Sequence, residues 1–486
     1  MPDKVVSIAL SLLSMIETHS RLTGAGEGRY EEQYAPVSGP EGGSMQPSRS
    51  RKGRPRPFGE IMRKVCALLI LCQCFFLSGF FFPKGNQNTE YDSAALHPQI
   101  LLTVLGFQYT SENKSGVERV LNLYAEAHPD VLISYEGIPL SSYFQILNQR
   151  IKVGSADDVF MVSPERARGY LAEGHLLDLS GAATLPSFRP DVLAQMRMDG
   201  AVPYMTNSLG AFGLFCNLKL LNRRRMDVPK TLEAFLAACE TFHRAGITPL
   251  VGGRESLKAL VVAQSFEQAV SGNAGPFFDA LNADPEVLQK ALSRGFALLA
   301  LLRDKAYLDV RSLTRFRGGE ADIAFAGGDQ PFMLGGIWNS PPLEKLHLDF
   351  RFAVFPFPVE GGPVAVLGLD TPLAVSANSR RREQASLLVE KLTCPDLVRT
   401  FTDGQGLFSP LKDAPLPADK AVHPLWKSVN EGRGVFRSDV RLRGPVWESL
   451  DVGVERILSG ASAEEAAESV VRAVLDNRRT GSGSQP

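Results

Sequence analysis

Histidine, tryptophan and cysteine are scarce in this 486-residue chain, at seven, three and six residues. His128 and His423 are among those that stand directly before prolines, and the seven do not converge on a general base. Of the cysteines, Cys66, Cys72 and Cys74 share one apolar run, while Cys216, Cys239 and Cys394 lie far apart. That spacing fits neither a disulfide framework nor a zinc site. Cys216 and Cys239 fall in apolar segments and read as small buried hydrophobes. No sign of charge dominates: 52 Lys/Arg against 53 Asp/Glu give a net charge of −1, so no large basic field for nucleic acid exists. Gly-x-Ser-x-Gly, His-Glu-x-x-His and phosphate-loop motifs are absent. Carboxylate pairs such as Glu136 with Asp158, or Asp329 with Asp370, could be drawn as a glycosidase acid and nucleophile. With 53 acidic residues such pairs arise by chance. The expectation is a chain without catalysis, cofactor or metal.

One long apolar run is present. Met62-Arg63-Lys64 supplies a basic start, residues 66–82 are apolar or small apart from Gln73, and Pro83-Lys84-Gly85 ends them. This is the layout of an export signal, at the lower edge of the length that spans a bilayer. Residues 62–85 are therefore expected to be an export signal or membrane anchor. Residues 1–61, rich in Gly, Ser, Pro and charge, cannot bury enough apolar surface to fold. They read as a disordered tail or an over-extended reading frame with Met62 the true start. Residues 86–97 read as a polar tether and 476–486 as a disordered tail.

Between them, strand-like and helix-like segments alternate. Residues 99–107, 131–136 and 157–162 read as strands, and the segments after the first two as helices, with Val117, Val120, Leu121 and Tyr124 inward on one and Phe144, Leu147 and Ile151 on the other. This order predicts right-handed crossovers and a parallel sheet covered by helices. Further on, Leu232, Phe235, Leu236, Cys239 and Phe242 share a helix face that opens at Thr231 and stops at Gly246. Ser462 and Glu465 form a capping box before a last helix.

Several segments, in one order, resemble the extracellular solute-binding proteins of ABC importers, in the family that captures sugars and oligosaccharides. "GSADDVFMV" is similar to its Gly-x-x-Pro-Asp-Val strand, with Asp157 at the usual proline. "LAEGHLLDLS", "DGAVPYMTNSLGAFGLFCNLKLL" with Asn217 at the usual asparagine, and "VPKTLEAFLAACETFHRAGITPL" follow. "FRGGEADIAFAGGDQPFMLGGIW", "LGLDTPLAVSANSRRREQASLLVEKLT" and "GQGLFSPLKD" complete a likeness over residues 99–475. It implies a periplasmic-binding-protein-like α/β fold: two α/β lobes, a ligand cleft, and two or three hinge crossings near residues 204–209, 319–325 and 368–375. Lobe 1 is expected to take residues 98–205 plus 322–370, and lobe 2 residues 206–321 plus 371–475. The implied role is capture of a carbohydrate by a monomer that hands it to the transmembrane subunits of an ABC permease. A two-lobe sensory or scaffold protein, or a receptor for a non-sugar solute, is the alternative. The implied place is the outer face of the cytoplasmic membrane, or secretion, in a Gram-positive bacterium. There Leu77-Ser78-Gly79-Phe80 puts phenylalanine where a lipid-attachment box has cysteine.

Sugars present hydroxyl edges and apolar C–H faces, so carboxylates, amides and aromatic rings are the groups to seek at strand ends and crossings. Phe107, Gln108 and Tyr109 follow the first strand and Glu136 ends the second. Asp158 opens the third. Asn207 and Ser208 mark the first crossing. Gly328 and Asp329 interrupt the segment leading to Trp338, and Asp370 lies in "LGLDT", where apolar surroundings make an unpaired charge costly.

Overall fold

Two separate sheets, each fed by more than one stretch of chain, organise the protein. The structure, a computed structural model, describes residues 99–271, 274–310 and 320–481; the expected extension, signal and tether lie outside them, as do residues 482–486 of the expected tail. Residues 476–481, expected to belong to that tail, continue the last helix, Ala463–Gly481.

The first sheet starts with β1 (Ile100–Gly106), β2 (Val131–Gly137) and β3 (Val159–Met161), parallel in the order β2-β1-β3. Helices Ser111–Ala127 and Leu140–Lys152 make the crossovers. The first buries Val117, Val120, Leu121 and Tyr124, the expected face. The second buries Tyr143 and Leu147; Phe144 and Ile151, expected inside, are only half-buried. Tyr143 takes the inner position because its hydroxyl donates to the carbonyls of Leu105 (3.2 Å) and Met161 (2.7 Å), satisfying it in the core.

From β4 (Met205–Thr206) the chain crosses at Asn207-Ser208 into β5 (Leu209–Asn217), a strand buried along its whole length. The second sheet grows around it with β6 (Leu250–Gly252), β7 (Phe332–Gly336), β8 (Phe352–Phe355), β9 (Phe357–Val359), β10 (Gly362–Leu369) and β12 (Gly434–Phe436). The chain returns at Asp370-Thr371 into β11 (Pro372–Val375), which pairs antiparallel with β3 and β4.

This corrects the expected lobe boundaries. Residues 322–370 were expected in lobe 1, yet β7 and β10 both pair with β5 in the second sheet. Residues from 371 were expected in lobe 2, yet β11 lies in the first sheet, with helix Arg382–Leu392 packed on it. The physical cause is adjacency: Leu369 pairs with Leu209 and Pro372 with Thr206, so the two crossings run side by side as one hinge. The expected crossing at 319–325 is instead helix Glu320–Ala326, packed on β6 and β7. A third passage runs through residues 407–422, between Leu411, which bridges Phe188 of the first lobe, and helix His423–Asn430, which packs on β8 and β10.

One hydrophobic core fills the first lobe and continues onto one face of the second sheet through Phe215, Met333 and Val354. The other lies on the opposite face, under helices Arg254–Ser265, Pro285–Asp304, Val446–Leu458 and Ala463–Gly481. Cys216 and Cys239 are fully buried in this second core, and burial pushes both thiols well above their ordinary range. Thr231 caps its helix as expected, and Ser462 and Glu465 exchange the two capping-box hydrogen bonds.

Candidate functional site: the cleft between the lobes

Parallel strands of an open α/β sheet offer ligands their carboxyl ends, where the chain turns outward and leaves backbone groups to be satisfied. Past the carboxyl end of β3, Ser163 caps helix Pro164–Ala172 and places Glu165 and Arg166 in its first turn. Past the carboxyl end of β7, Trp338 lies in a short 3-10 turn, Ile337–Asn339. From the second lobe, the segment after β12 brings Arg437, Ser438 and Asp439, and Trp447 opens helix Val446–Leu458. Glu165, Arg168, Met198, Arg437, Asp439 and Trp447 line a small cavity between the lobes, with a volume of about 40 Å³; a larger one of about 310 Å³ lies beside it between Gln195 and Phe278. The smaller has room for roughly two to four waters. A sugar enters this smaller cavity only if the lobes part.

The lobes hold each other directly at the rim. Arg166 pairs with Glu448 at 3.2 Å and Arg168 donates to the Val440 carbonyl at 3.0 Å. Gln195 Nε2 donates to Asp439 Oδ2 at 3.1 Å, and Val440 N–H donates to Gln195 Oε1 at 2.8 Å.

Inside, two carboxylates face one guanidinium. Glu165 faces Ser438, and its Oε1 is shut away from solvent with no hydrogen-bond partner. Burial raises its pKa, and the Arg437 charge acts in the opposite sense. Asp370 sits at the return crossing, held by its backbone N–H to the Ser208 carbonyl at 3.2 Å. Its carboxylate accepts no hydrogen bond from any described residue; burial raises its pKa, again opposed by Arg437. Arg437 lies over Trp447 at 5.2 Å and Phe212 at 6.0 Å. Beneath, the buried Lys258 bonds Glu255 and Asp451, both at 3.0 Å, and approaches the Trp447 ring to 4.5 Å.

Trp338 and Asp370 meet at Gly210: a Cβ there would stand 3.0 Å from the indole and 3.6 Å from the carboxylate. The absent side chain is what lets ring and carboxylate close over the hinge. Trp338 packs edge-on against Phe212 at 4.9 Å and touches both cores.

The other expected residues are placed as follows. Asn207 and Ser208 are buried at the hinge, where the Ser208 hydroxyl bonds Asn207 Oδ1 at 3.1 Å and the Thr371 hydroxyl at 2.9 Å; Thr371 also donates to Asn207 Oδ1. They tie the two crossing strands together. Asp158 lies at the amino end of β3: Oδ2 accepts from the Thr103 N–H at 3.0 Å and Oδ1 from Ser379 at 2.6 Å. Glu136 pairs with Arg150 at 2.6 Å, which also pairs with Asp157. Phe107 packs edge-on against Tyr143 at 5.5 Å. Gln108 is buried with Oε1 unpartnered, and Tyr109 is exposed. Gly328 turns with φ of +84°, its carbonyl accepting from Asn217 at 3.2 Å, and Asp329 is exposed beside it. Both precede β7, the strand's whole length from Trp338. The structure thus brings together Trp338, Asp370, Asn207 and Ser208. None of these four, and none of the other expected residues, is in the cavity lining.

Glu165, Arg437 and Trp447 escaped the reading of the sequence. The rule that points to strand carboxyl ends would have found Glu165 in "VSPER"; being one of only three tryptophans was a signal for Trp447.

Replacing Asp370 by Asn is expected to raise the melting temperature near neutral pH and to weaken ligand binding. A carboxyl whose folded pKa is raised contributes stability below its unfolded pKa and loses it as pH rises through the folded value. The gain of Asp370→Asn should therefore vanish on acidification, as melting curves across pH would show. A gain that persists in acid would contradict this account of the carboxylate.

A search of curated proteins returns no match. Solved structures share the architecture. A family 1 extracellular solute-binding protein from Bifidobacterium longum subsp. infantis superposes with a TM-score of 0.64 at 18% identity, over 78% of this chain and 99% of that one. A chitin oligosaccharide binding protein gives 0.65 at 19%, over 78% and 99%. The GacH receptor of Streptomyces glaucescens, solved unliganded and with acarbose, gives 0.64 at 18%, over 78% and 99%. The family model for bacterial extracellular solute-binding proteins matches residues 120–427, a stretch that contains both sheets' central strands, all three crossings and the first-lobe wall of the cleft. This chain belongs to the bacterial extracellular solute-binding proteins.

Proposed function

We infer that the chain captures a carbohydrate, and more narrowly an oligosaccharide, by closing its lobes, and delivers it to the transmembrane subunits of an ABC permease. The observation that carries the reading is the meeting of Trp338 and Asp370 over Gly210, an apolar ring beside an acceptor at the hinge. The ring can cover a C–H face while carboxylate and guanidinium bond hydroxyls in the sugar plane. Trp338, Asp370, Asn207 and Ser208 are read as the ligand-facing hinge, and Phe107, Gln108 and Tyr109 as an outer contact on the first lobe. The names of the similar structures, which include binders of chitin oligosaccharide and acarbose, support the ligand class. Closure is populated because ligand bridges both lobes and so favours the closed form by its differential affinity. On this reading the protein acts as a monomer outside the cytoplasmic membrane, held by residues 62–85 or released by cleavage, and it binds without catalysis.

A thermal-shift panel of oligosaccharides on the full chain tests this. A ligand at a hundred times its Kd should stabilise by about 2.7 kcal/mol, a readily seen shift. Silence across a broad panel, with the protein shown to be folded, would refute the carbohydrate reading.

A further inference from the structure

The charge balance of the cleft narrows the ligand beyond the reading above, on which this inference rests. Most charged groups near the cavity are already committed. Arg166 pairs with Glu448, Arg168 with Asp199 at 2.8 Å, and Arg441 with Asp439 at 2.5 Å. Lys258 is held by Glu255 and Asp451. Three groups make no ion pair with any described residue: Glu165 from the first lobe, Asp370 at the hinge, and Arg437 from the second. Two are anionic acceptors and one is a cation, and that cation lies over the rings of Trp447 and Phe212. Glu165 also keeps Oε1 buried and unpartnered. Such an atom can be satisfied only by a donor, and ligand is the natural source once the lobes part.

We propose that the cleft selects carbohydrates bearing a free amine over their neutral N-acyl counterparts, and disfavours acidic sugars, with Glu165 as the group that reads the amine. A hydroxyl or an acetamide N–H can donate to Glu165 Oε1. A protonated amine donates as well and also cancels the surplus negative charge of Glu165 and Asp370; charge-assisted hydrogen bonds of this kind are about twice as strong as neutral ones. A uronate brings a third carboxylate, leaving Arg437 to balance all three. An amino sugar thus leaves no charge in the closed cavity unpaired, which is the condition for burial without penalty.

The test is calorimetric titration of the full chain, in slightly acidic buffer that protonates the amine, with three trisaccharides: the N-acetylglucosamine trimer, the same trimer with one unit deacetylated, and the same trimer with one unit oxidised to a uronate. The singly deacetylated trimer should bind about tenfold tighter than the acetylated trimer, and the uronate most weakly. Glu165→Gln should flatten the amine preference, read as the ratio of the two affinities, to within about threefold. Equal or reversed affinities with binding intact, or a preference that survives Glu165→Gln, would overturn the proposal and leave carbohydrate capture standing. Binding of none of the three, together with silence across the broader oligosaccharide panel, would overturn both.

Discussion

Asp158→Ala is expected to lower the unfolding free energy by about 2–5 kcal/mol while leaving the ligand affinity of the folded protein within about threefold. The carboxylate is buried and accepts from three donors: the Thr103 N–H and hydroxyl on β1, and the Ser379 hydroxyl in the loop after β11. It therefore ties β1 of the first sheet to the segment that returns from the second lobe. Truncation orphans those donors in a dry environment, each at about 1–3 kcal/mol less what water can recover. Asp158→Asn keeps an acceptor of the same shape and should lose less. Chemical denaturation alongside calorimetry separates the roles: a lost Kd with unchanged stability would make Asp158 a ligand contact and refute the structural reading.

Trp338→Ala is the second large effect. The indole packs against both hydrophobic cores and edge-on against Phe212, and its ring crowds the Cα positions of Gly210 and Gly336. Removing a large aromatic from such a site costs about 3–5 kcal/mol when it is fully buried; Trp338 is half-buried, so about 2–3 kcal/mol is expected by the same scale. Stabilisation by oligosaccharide should disappear as well, because the ring flanks the hinge carboxylate. Trp338→Phe restores most of the packing with a smaller platform. It should recover most of the melting temperature but bind more weakly than the native protein; native affinity in Trp338→Phe would show that the indole serves packing alone.

Local pattern explains much of what could be read in advance. The helix faces built on Val117, Val120, Leu121 and Tyr124, and on Phe235, Cys239 and Phe242, follow from 3.6-residue spacing, and the caps at Thr231 and Ser462 from side-chain chemistry next to the helices they open. These signals need only a few neighbours along the chain. Tyr143 shows the limit: its place inside, in preference to Phe144, depends on two carbonyls from β1 and β3 that no local pattern contains.

The site divides along the same line. Asp158, Gly328 and Asp329 lie at the amino ends of β3 and β7, while Glu165 and Trp338 follow the carboxyl ends of the same strands. A sequence marks a strand and its polar flanks but not which flank meets a ligand when two sheets face each other. Glu136 looked like a free acid until Arg150, one helix later, was brought to it.

By itself the sequence determined the class of the fold, the strand and helix order of the first lobe, and the place of Asn207, Ser208 and Asp370 at the crossings between the sheets. Only the tertiary structure decided which lobe each later segment joins. Antiparallel pairing of β10 with β5 and of β11 with β3 and β4 sets the crossing at Asp370-Thr371, and such pairing acts between residues more than a hundred positions apart. It also decided that Glu165 and Arg437, 272 residues apart in sequence, confront each other across one cleft. Charge complementarity at that range is a property of packed surfaces, and no window of neighbouring residues contains it.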